Sequence, residues 1–459
     1  MNTLPKSTLE KILSAPAVSL DKGLHSSGQW AKNFKNNKQL KKAGRFWHSL
    51  GPGFTTGAAD DDPSGIATYS QAGARYGFDL IWMALLTFPL MAMVQEMCAR
   101  IGLVTGRGLA GNIRRHYKKW VLYLTTLLLF AANTFNIGAN LSAMASSARL
   151  ILPEMNYKLL IIIFVAVSLF FQIFLSYAQY AKYLKWLTLI LLSYILSALS
   201  LHLNWREVAN QILAIQLNFS GDQIFLICAI LGTTISPYLF FWQTSQEVEE
   251  KILAGQNTIK LRQNEVKPTE LKKMRTDVWS GMFFSNLIMF FIILTCGAAL
   301  HNFGITNIST ASDAAEALRP IAGDYTFYLF ALGIIGTGLL AVPVLAGSAS
   351  YTIAETFGFK QGLFYKLKQA SAFYGVIIIA MLFGMSLSFF GLNPIKALIY
   401  SAVINGLVAP VILILIVQMA GNSKMMNKHV IGTRVKFIGW LTIFLMVIAG
   451  GATIISLII

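Results

Sequence analysis

The sequence predicts an all-α integral membrane protein with eleven transmembrane helices, built as two five-helix inverted repeats plus one added helix. Three observations carry this. Of the 459 residues, 55% are hydrophobic and 12% charged, against about 25% charged in an ordinary soluble chain. Apolar runs long enough to cross a bilayer as helices recur to the C-terminus, without the polar–apolar alternation of barrel strands. The first and sixth runs are interrupted at matching positions, and because five is odd the second set enters from the opposite side.

In chain order the spans lie near 48–74, 78–104, 120–148, 159–179, 186–204, 223–246, 278–303, 325–355, 372–391, 395–419 and 437–459. Residues 1–45 read as a basic cytoplasmic tail, 46–204 as the first repeat, 205–420 as the inverted second repeat and 421–459 as the extra eleventh helix. The 6–7 loop, Glu249 to Asp277, is the long charged insertion and should contain a short amphipathic helix. No cleavable signal peptide is visible, so the first span directs insertion. Cys98, Cys228 and Cys296 each fall within a span and read as small apolar fillers, not a disulfide or a zinc site.

The net charge of +17 is topological. With the N-terminus inside, only Arg75, Arg149, Lys158, Arg206, Arg319 and Lys396 of the 37 Lys and Arg fall on the outer side. This asymmetry puts the N-terminus in the cytoplasm and the C-terminus outside, in the inner or plasma membrane of the cell. The cations of the tail lack a surrounding domain, which argues against a nucleic-acid partner. No soluble segment is large enough to be an enzyme.

Span one holds "TGAADDDPSGIA" and span six "LGTTISPYLFFW". Each sets glycine and small polar residues ahead of a mid-span proline, Pro63 or Pro237. Proline removes a backbone donor and clashes with the preceding turn. Such a break survives in a bilayer only where the freed groups face protein or a water-filled cavity. A charge at bilayer depth costs about 2.5–3.5 kcal/mol on insertion scales, so three aspartates there call for a function. Unwound carbonyls and carboxylates together suit a hard cation: magnesium, manganese or calcium.

Asp62 precedes Pro63, whose ring pushes it out of the helical region, and is the first candidate ligand. Consecutive helical side chains point about 100° apart, so the three acids cannot all face one ion. Asp61 then lines the entry path or adds a ligand, and Asp60 pairs elsewhere. Thr233 and Thr234 offer carbonyls or hydroxyls, Ser236 a hydroxyl, and Asn405, mid-span in helix ten, an amide oxygen. The span-six motif has no Cys, His or Met, so soft ligands are absent from it.

Other features read as structural. "GRGLAG", Gly106 to Gly111, matches G-x-G-x-x-G, but no strand precedes it. Glu96 and Arg100 have the i,i+4 spacing of an ion pair. Glu247, Glu249 and Glu250 read as a solvated helix end, and His202 and His301 as interfacial.

These residues resemble the Nramp divalent-metal transporters. "GPGFTTGAADDDPSGIATYSQAGA" is similar to the family's first span, whose motif is Asp-Pro-Gly-Asn, and "GTTISPYLFF" to its sixth, Ala-x-x-Met-Pro-His. "VTGRGLAGNIRRHY" after span two and "GTGLLAVPVLAGSASYTIAETFG" in span eight extend the likeness over nearly the whole chain. The resemblance implies a leucine-transporter-type fold, alternating access, a divalent metal as cargo with no resident cofactor, and a monomeric transport unit in the bilayer.

Carried over residue by residue, the family's Asp falls on Asp62 and is kept. Its Asn falls on Gly65, its carbonyl-donating Ala on Thr233, its Met on Ser236, and its His after the proline on Tyr238. Where span three of the family carries acids tied to proton transfer, this chain has Asn133, Asn136 and Asn140. These departures resemble the Nramp-related magnesium transporters, a branch that carries magnesium, and manganese with it, without proton coupling. Gly65 and Ser236 in place of Asn and Met imply more room for a partly hydrated ion, and magnesium dehydrates reluctantly.

Three other classes compete. A proton-coupled manganese or iron symporter needs a titratable relay, for which Asp60 or Asp61 would have to serve. A sodium-coupled transporter of an organic solute presents a break to a carboxylate and few charges to sodium. An intramembrane aspartyl enzyme needs a second Asp on a facing helix, whereas Asp79, Asp222, Asp277, Asp313 and Asp324 fall near span ends.

Overall fold

The computed structural model describes residues 51–175, 192–201, 205–213, 220–263, 266–315 and 326–458, with the single residues 203, 215 and 323. The tail over 1–45, His202, and the start of the fifth predicted span lie outside the described residues. From Pro52 onward the chain is one compact unit. Every regular element among the described residues is helical.

Helices are numbered by span. The first is split into α1a (Pro52–Asp60) and α1b (Pro63–Tyr76). Next come α2 (Trp82–Thr105), α3 (Lys119–Ile151), α4 (Tyr157–Phe174) and α5 (Leu192–Ser200). The sixth is split into α6a (Gly221–Thr234) and α6b (Pro237–Leu253). The rest are α7 (Pro268–Ala299), α8 (Thr326–Phe357), α9 (Ser371–Ser388), α10 (Pro394–Ala420) and α11 (Thr433–Ile458). Among the described residues, 9 helices are long and apolar enough to cross a membrane, with α6a and α6b counted as one. The remaining two predicted spans are the first, whose halves have 9 and 14 residues, and the fifth, of which a 9-residue helix is described.

The breaks fall where the prolines put them. Asp62 has the extended backbone, φ −72° and ψ 171°, that the residue before proline prefers. Ser236 is extended in the same way at φ −79° and ψ 132°. Pro63 and Pro237 each open the second half-helix, where a missing N–H costs nothing. By the same logic Pro268 starts α7 ahead of the predicted boundary, and Glu270 accepts the Lys267 N–H at 3.1 Å. The last third of the charged 6–7 insertion, Pro268 to Asp277, is therefore an extension of α7. Its expected amphipathic helix is the single turn Ile259–Arg262.

Both halves of helix one lie along α7 at backbone contact. A Cβ on Gly57 would sit 2.3 Å from Gly281 O, one on Gly281 2.2 Å from Gly53 O, and one on Gly73 2.4 Å from Ile293 O. Small residues are how membrane helices approach this closely. Asp277, in the third turn of α7, accepts the N–H groups of Gly53 and Phe54 at 2.7 and 3.2 Å, capping α1a with a carboxylate. The second broken helix is seated likewise: a Cβ on Gly102 of α2 would meet Thr244 O of α6b at 2.3 Å, and one on Gly232 of α6a would meet Ala402 O of α10 at 2.0 Å. Helix one on helix seven, and helix six on helix two, is the reciprocal pairing that inverted five-helix repeats generate.

The structural readings hold in part. Cys98, Cys228 and Cys296 are buried and free. Glu96 accepts from Arg100 at 2.7 Å, and also from Arg275 and Trp279 of α7 at 2.9 Å. In "GRGLAG", Gly106 at φ 63° ends α2 and Gly108 caps the helix Leu109–His116, whose Gly111 N–H is taken by Glu355 Oε2 at 2.8 Å. The end of α6b is not the solvated end that its sequence suggests. Glu247 and Glu249 are buried and only Glu250 is exposed. Gln243 donates to Glu247 at 2.9 Å, while Tyr351 of α8 and the Leu363 N–H of the 8–9 loop donate to Glu249. That loop folds over α6b, and linear sequence carries no sign of it.

Gly281→Ala forces a methyl group onto the Gly53 carbonyl. It should destabilise the protein by about 1–3 kcal/mol, read as a lower melting temperature of the purified protein. Gly375→Ala on α9, where nothing lies within 4 Å of the added carbon, should leave the melting temperature unchanged.

Candidate metal centre

The two breaks meet in the middle of the bundle. Asp60, Asp61 and Asp62 have relative exposures of 0%, 0% and 1%. They do not converge: among the described residues no group of three or more His, Cys, Asp or Glu is arranged to hold an ion. Instead they divide between two neighbours. Asp62 faces α3, and the other two face α7.

Asp62 Oδ1 accepts the Gly65 N–H at 2.8 Å, so this carboxylate is itself the cap of α1b. Oδ2 accepts from Asn140 Nδ2 at 3.1 Å and Asn136 Nδ2 at 3.4 Å. The two amides lie one turn apart on α3 and so present one face. Ser401 of α10 continues the network, with its Oγ 3.1 Å from Asn136 Oδ1 and 3.2 Å from Ser64 Oγ. Ser64 in turn donates to Leu398 O at 2.9 Å. Helices one, three and ten are thus pinned together around one carboxylate.

On the other side, Ser285 of α7 lies 2.8 Å from Asp60 Oδ2 and 3.3 Å from Asp61 Oδ1. Its single proton serves the nearer. Asp60 Oδ1 and Asp61 Oδ2 are buried without a hydrogen-bond partner. A buried carboxylate oxygen left bare is costly, and a cation nearby would offset that cost.

From helix six, Ser236 Oγ lies 2.8 Å from Gly232 O and 2.6 Å from Thr233 O. Its proton therefore points back into α6a and its lone pairs remain for a cation. Thr233 faces Gly65 across the breaks: a Cβ on Gly65 would sit 3.4 Å from Thr233 Oγ1, and 3.3 Å from Asp60 O and from the Tyr69 ring. The room expected at Gly65 is a closed slot in this conformation. Asn405 is buried with Oδ1 unpartnered, on the stretch of α10 that lies against Gly232, and no hydrogen bond links it to Asp62.

Two phenols cross the breaks reciprocally. Tyr238 of α6b donates to Ala59 O, an end carbonyl of α1a, at 2.8 Å. Tyr69 of α1b lies 3.0 Å from Thr234 Oγ1 at the end of α6a. Thr234 sends its own proton to Ile230 O at 2.6 Å, so Tyr69 is the donor. Each second half-helix thereby reaches the end of the other's first half, Tyr238 at a backbone carbonyl and Tyr69 at a side-chain hydroxyl.

The structure therefore links Asp62 to Thr233 and Ser236 through Gly65, turns Asp61 and Asp60 towards Ser285 of α7, and leaves Asn405 at the margin. Sequence reasoning overlooked Asn136, Asn140, Ser285, Ser401 and both phenols as parts of the site. The i,i+4 amides of span three were the available signal.

Comparison with known proteins agrees with this fold. A family model described as "Nramp: Natural resistance-associated macrophage protein-like" matches residues 53–456. The divalent metal cation transporter MntH of Klebsiella pneumoniae is 24% identical over 418 residues, which is 89% of this chain and 94% of that one. A crystal structure of the Eremococcus coleocola manganese transporter, in complex with an aromatic bis-isothiourea compound, superimposes with a TM-score of 0.66 at 16% identity, covering 90% of this chain and 87% of that one. MhsT in complex with L-phenylalanine shares the fold at a TM-score of 0.52 and 13% identity, covering 88% of this chain and 97% of that one.

Asn140→Ala removes a donor from Asp62 Oδ2 without touching the break. It should weaken divalent-metal affinity by about tenfold, the usual effect of losing a group that orients a ligand. Asn133→Ala should leave affinity unchanged, because its amide goes to Leu345 O at 3.0 Å. Calorimetric titration of manganese into the purified variants distinguishes the two.

Proposed function

The chain belongs to the Nramp family of divalent-metal transporters, and we propose that its physiological ion is magnesium, with manganese carried alongside. The supporting observation is the hard-oxygen character of the two breaks: the Asp62 carboxylate, held by two amides, on one side, and the Ser236 hydroxyl and Thr233 carbonyl on the other. Hard oxygen ligands favour magnesium and manganese over softer metals. The sulfur of Met289 approaches Thr234 and Thr87, on the α7 side.

In this reading the ion binds Asp62, the Thr233 carbonyl and the Ser236 hydroxyl, and keeps several of its waters. Asn136 and Asn140 hold the carboxylate for it and accept the water shell. Asp61 and Asp60 raise the local cation concentration on approach, and Asn405 supplies an oxygen from α10. Alternating access is a parting of α1 and α6 from their neighbours, first on one side and then on the other. The chain works as a monomer in the cell membrane, with the N-terminus inside and the C-terminus outside.

Coupling follows from the same residues. Asn136 and Asn140 do not titrate, and Tyr238 stands where a proton-handling His would. The ion then moves down its electrical gradient, at about 2.3 kcal/mol per charge per 100 mV and twice that for a divalent ion. Proton symport is the second reading, favoured by the bare buried oxygens of Asp60 and Asp61.

In proteoliposomes, magnesium influx should rise with an inside-negative potential while a lumenal pH dye stays silent. Asp62→Asn should remove uptake in a protein that still folds, at a lower melting temperature because its amide would meet the Asn136 and Asn140 donors or give up the Gly65 cap. Wild-type flux in Asp62→Asn would contradict the ligand assignment. A dye signal that tracks metal influx and disappears in Asp60→Asn or Asp61→Asn would establish proton symport instead.

A further inference from the structure

The end of the bundle that carries the 2–3, 6–7 and 8–9 loops holds a cavity of about 750 Å³. Its walls are the turn and short helix after α2, the last turns of α6b, the turn Ile259–Arg262, the end of α8 and the start of the 8–9 loop. The volume lies within the range of small-molecule sites, about 300–1,000 Å³. None of the residues at the two breaks lines it.

Five cations face this cavity: Arg107, Arg114, Arg115, Arg262 and Lys360. So do two carboxylates, Glu249 and Glu355, which offset part of this charge and leave an excess of cations. Glu355 accepts the Gly111 N–H at 2.8 Å and Gln361 Nε2 at 2.7 Å. Glu249 Oε1 accepts from Leu363 and Tyr351. The guanidiniums are held by carbonyls: Arg114 by Glu355 O at 3.2 Å, and Arg262 by Gly106 O at 3.0 Å and Asn257 O at 3.2 Å. A carbonyl fixes a guanidinium without cancelling its charge. No ion pair among the described residues involves any of the five. Arg107 Nε and Glu249 Oε2 are buried without a hydrogen-bond partner.

The cations feel one another. Burial, and then Arg115, lowers the proton affinity of Arg107; burial, and then Arg107, does the same to Arg262. His116 beside them is pushed down by burial and by Arg115 and Arg107. A topological charge bias explains lysines scattered over exposed loops. It does not explain four arginines on one cavity. The planar guanidinium fork matches phosphate oxygens, and the bare oxygen of Glu249 calls for a hydroxyl donor.

We propose that this cavity binds a phosphate ester bearing free hydroxyls, with its phosphates on Arg107, Arg115 and Lys360 and a hydroxyl on Glu249. A nucleotide and the headgroup of an anionic phospholipid share this chemistry. Either would bridge α6b and the 6–7 loop to α8 and the 2–3 loop.

The test uses the full chain in zwitterionic-lipid nanodiscs with EDTA, so that its outcome is independent of metal transport. ATP is titrated by calorimetry at constant ionic strength. In parallel, nanodiscs containing phosphatidylglycerol are analysed by native mass spectrometry for retained lipid. Saturable ATP binding assigns the site to a soluble phosphate ester, and retention of phosphatidylglycerol alone assigns it to a headgroup. In either case Arg107→Gln with Arg115→Gln should weaken binding by about tenfold or more. Lys360→Gln, an exposed side chain outside every helix, serves if the double variant does not fold, and should weaken binding about threefold. The proposal is overturned if neither ligand binds the wild type, or if binding persists undiminished in these variants.

Discussion

One carboxylate holds the centre of this molecule together. Asp62 closes the N-terminus of α1b with one oxygen and takes two amides of α3 with the other. A helix start leaves N–H groups unsatisfied, and a buried carboxylate needs donors. Opening the helix at Pro63 makes each the remedy for the other. Hydrogen bonds to a charged group contribute about 1.5–3 kcal/mol apiece, so the arrangement is well determined. A group fixed in this way by cap and amides is one whose remaining lone pairs point in a set direction. An ion ligand needs such a direction.

The second break is tied to the first rather than built independently. Tyr238 and Tyr69 each reach from a second half-helix to the open end of the opposite first half. The glycine contacts of α1a on α7, and of α6b on α2, let the half-helices lie flat against their supports. These contacts are backbone on backbone, with no long side chain to interlock. A joint of that kind resists separation and permits sliding. A side chain on Gly65 would touch Thr233 Oγ1 in the slot between the breaks.

Much of this was legible in the sequence, for physical reasons. Apolar runs declare spans because a bilayer admits nothing else, and Pro63 and Pro237 declare breaks because proline cannot continue a turn. Asp62 stood out because it sits where the chain must unwind. Other features depend on which helices become neighbours, and no local pattern records that. Asn136 and Asn140 read as the absence of a proton relay, and only the packing of α3 on α1b makes them partners of Asp62. Glu249 read as a solvated end until the 8–9 loop covered it. Ser285, more than two hundred residues from Asp60 and Asp61, was out of reach of any spacing argument. Residues 1–45, and the start of the fifth predicted span, lie outside the described residues.

In the proposed site Asp62, and not its two neighbours, is the acid that meets the ion. Anomalous scattering from crystals grown with manganese tests this directly. The account predicts one strong peak within about 2–2.6 Å of an Asp62 oxygen, a coordination distance for a hard divalent cation, with Thr233 O and Ser236 Oγ completing the protein's share of the shell. A peak on the Ser285 side, held by Asp60 and Asp61 while Asp62 keeps both asparagine amides, would contradict it.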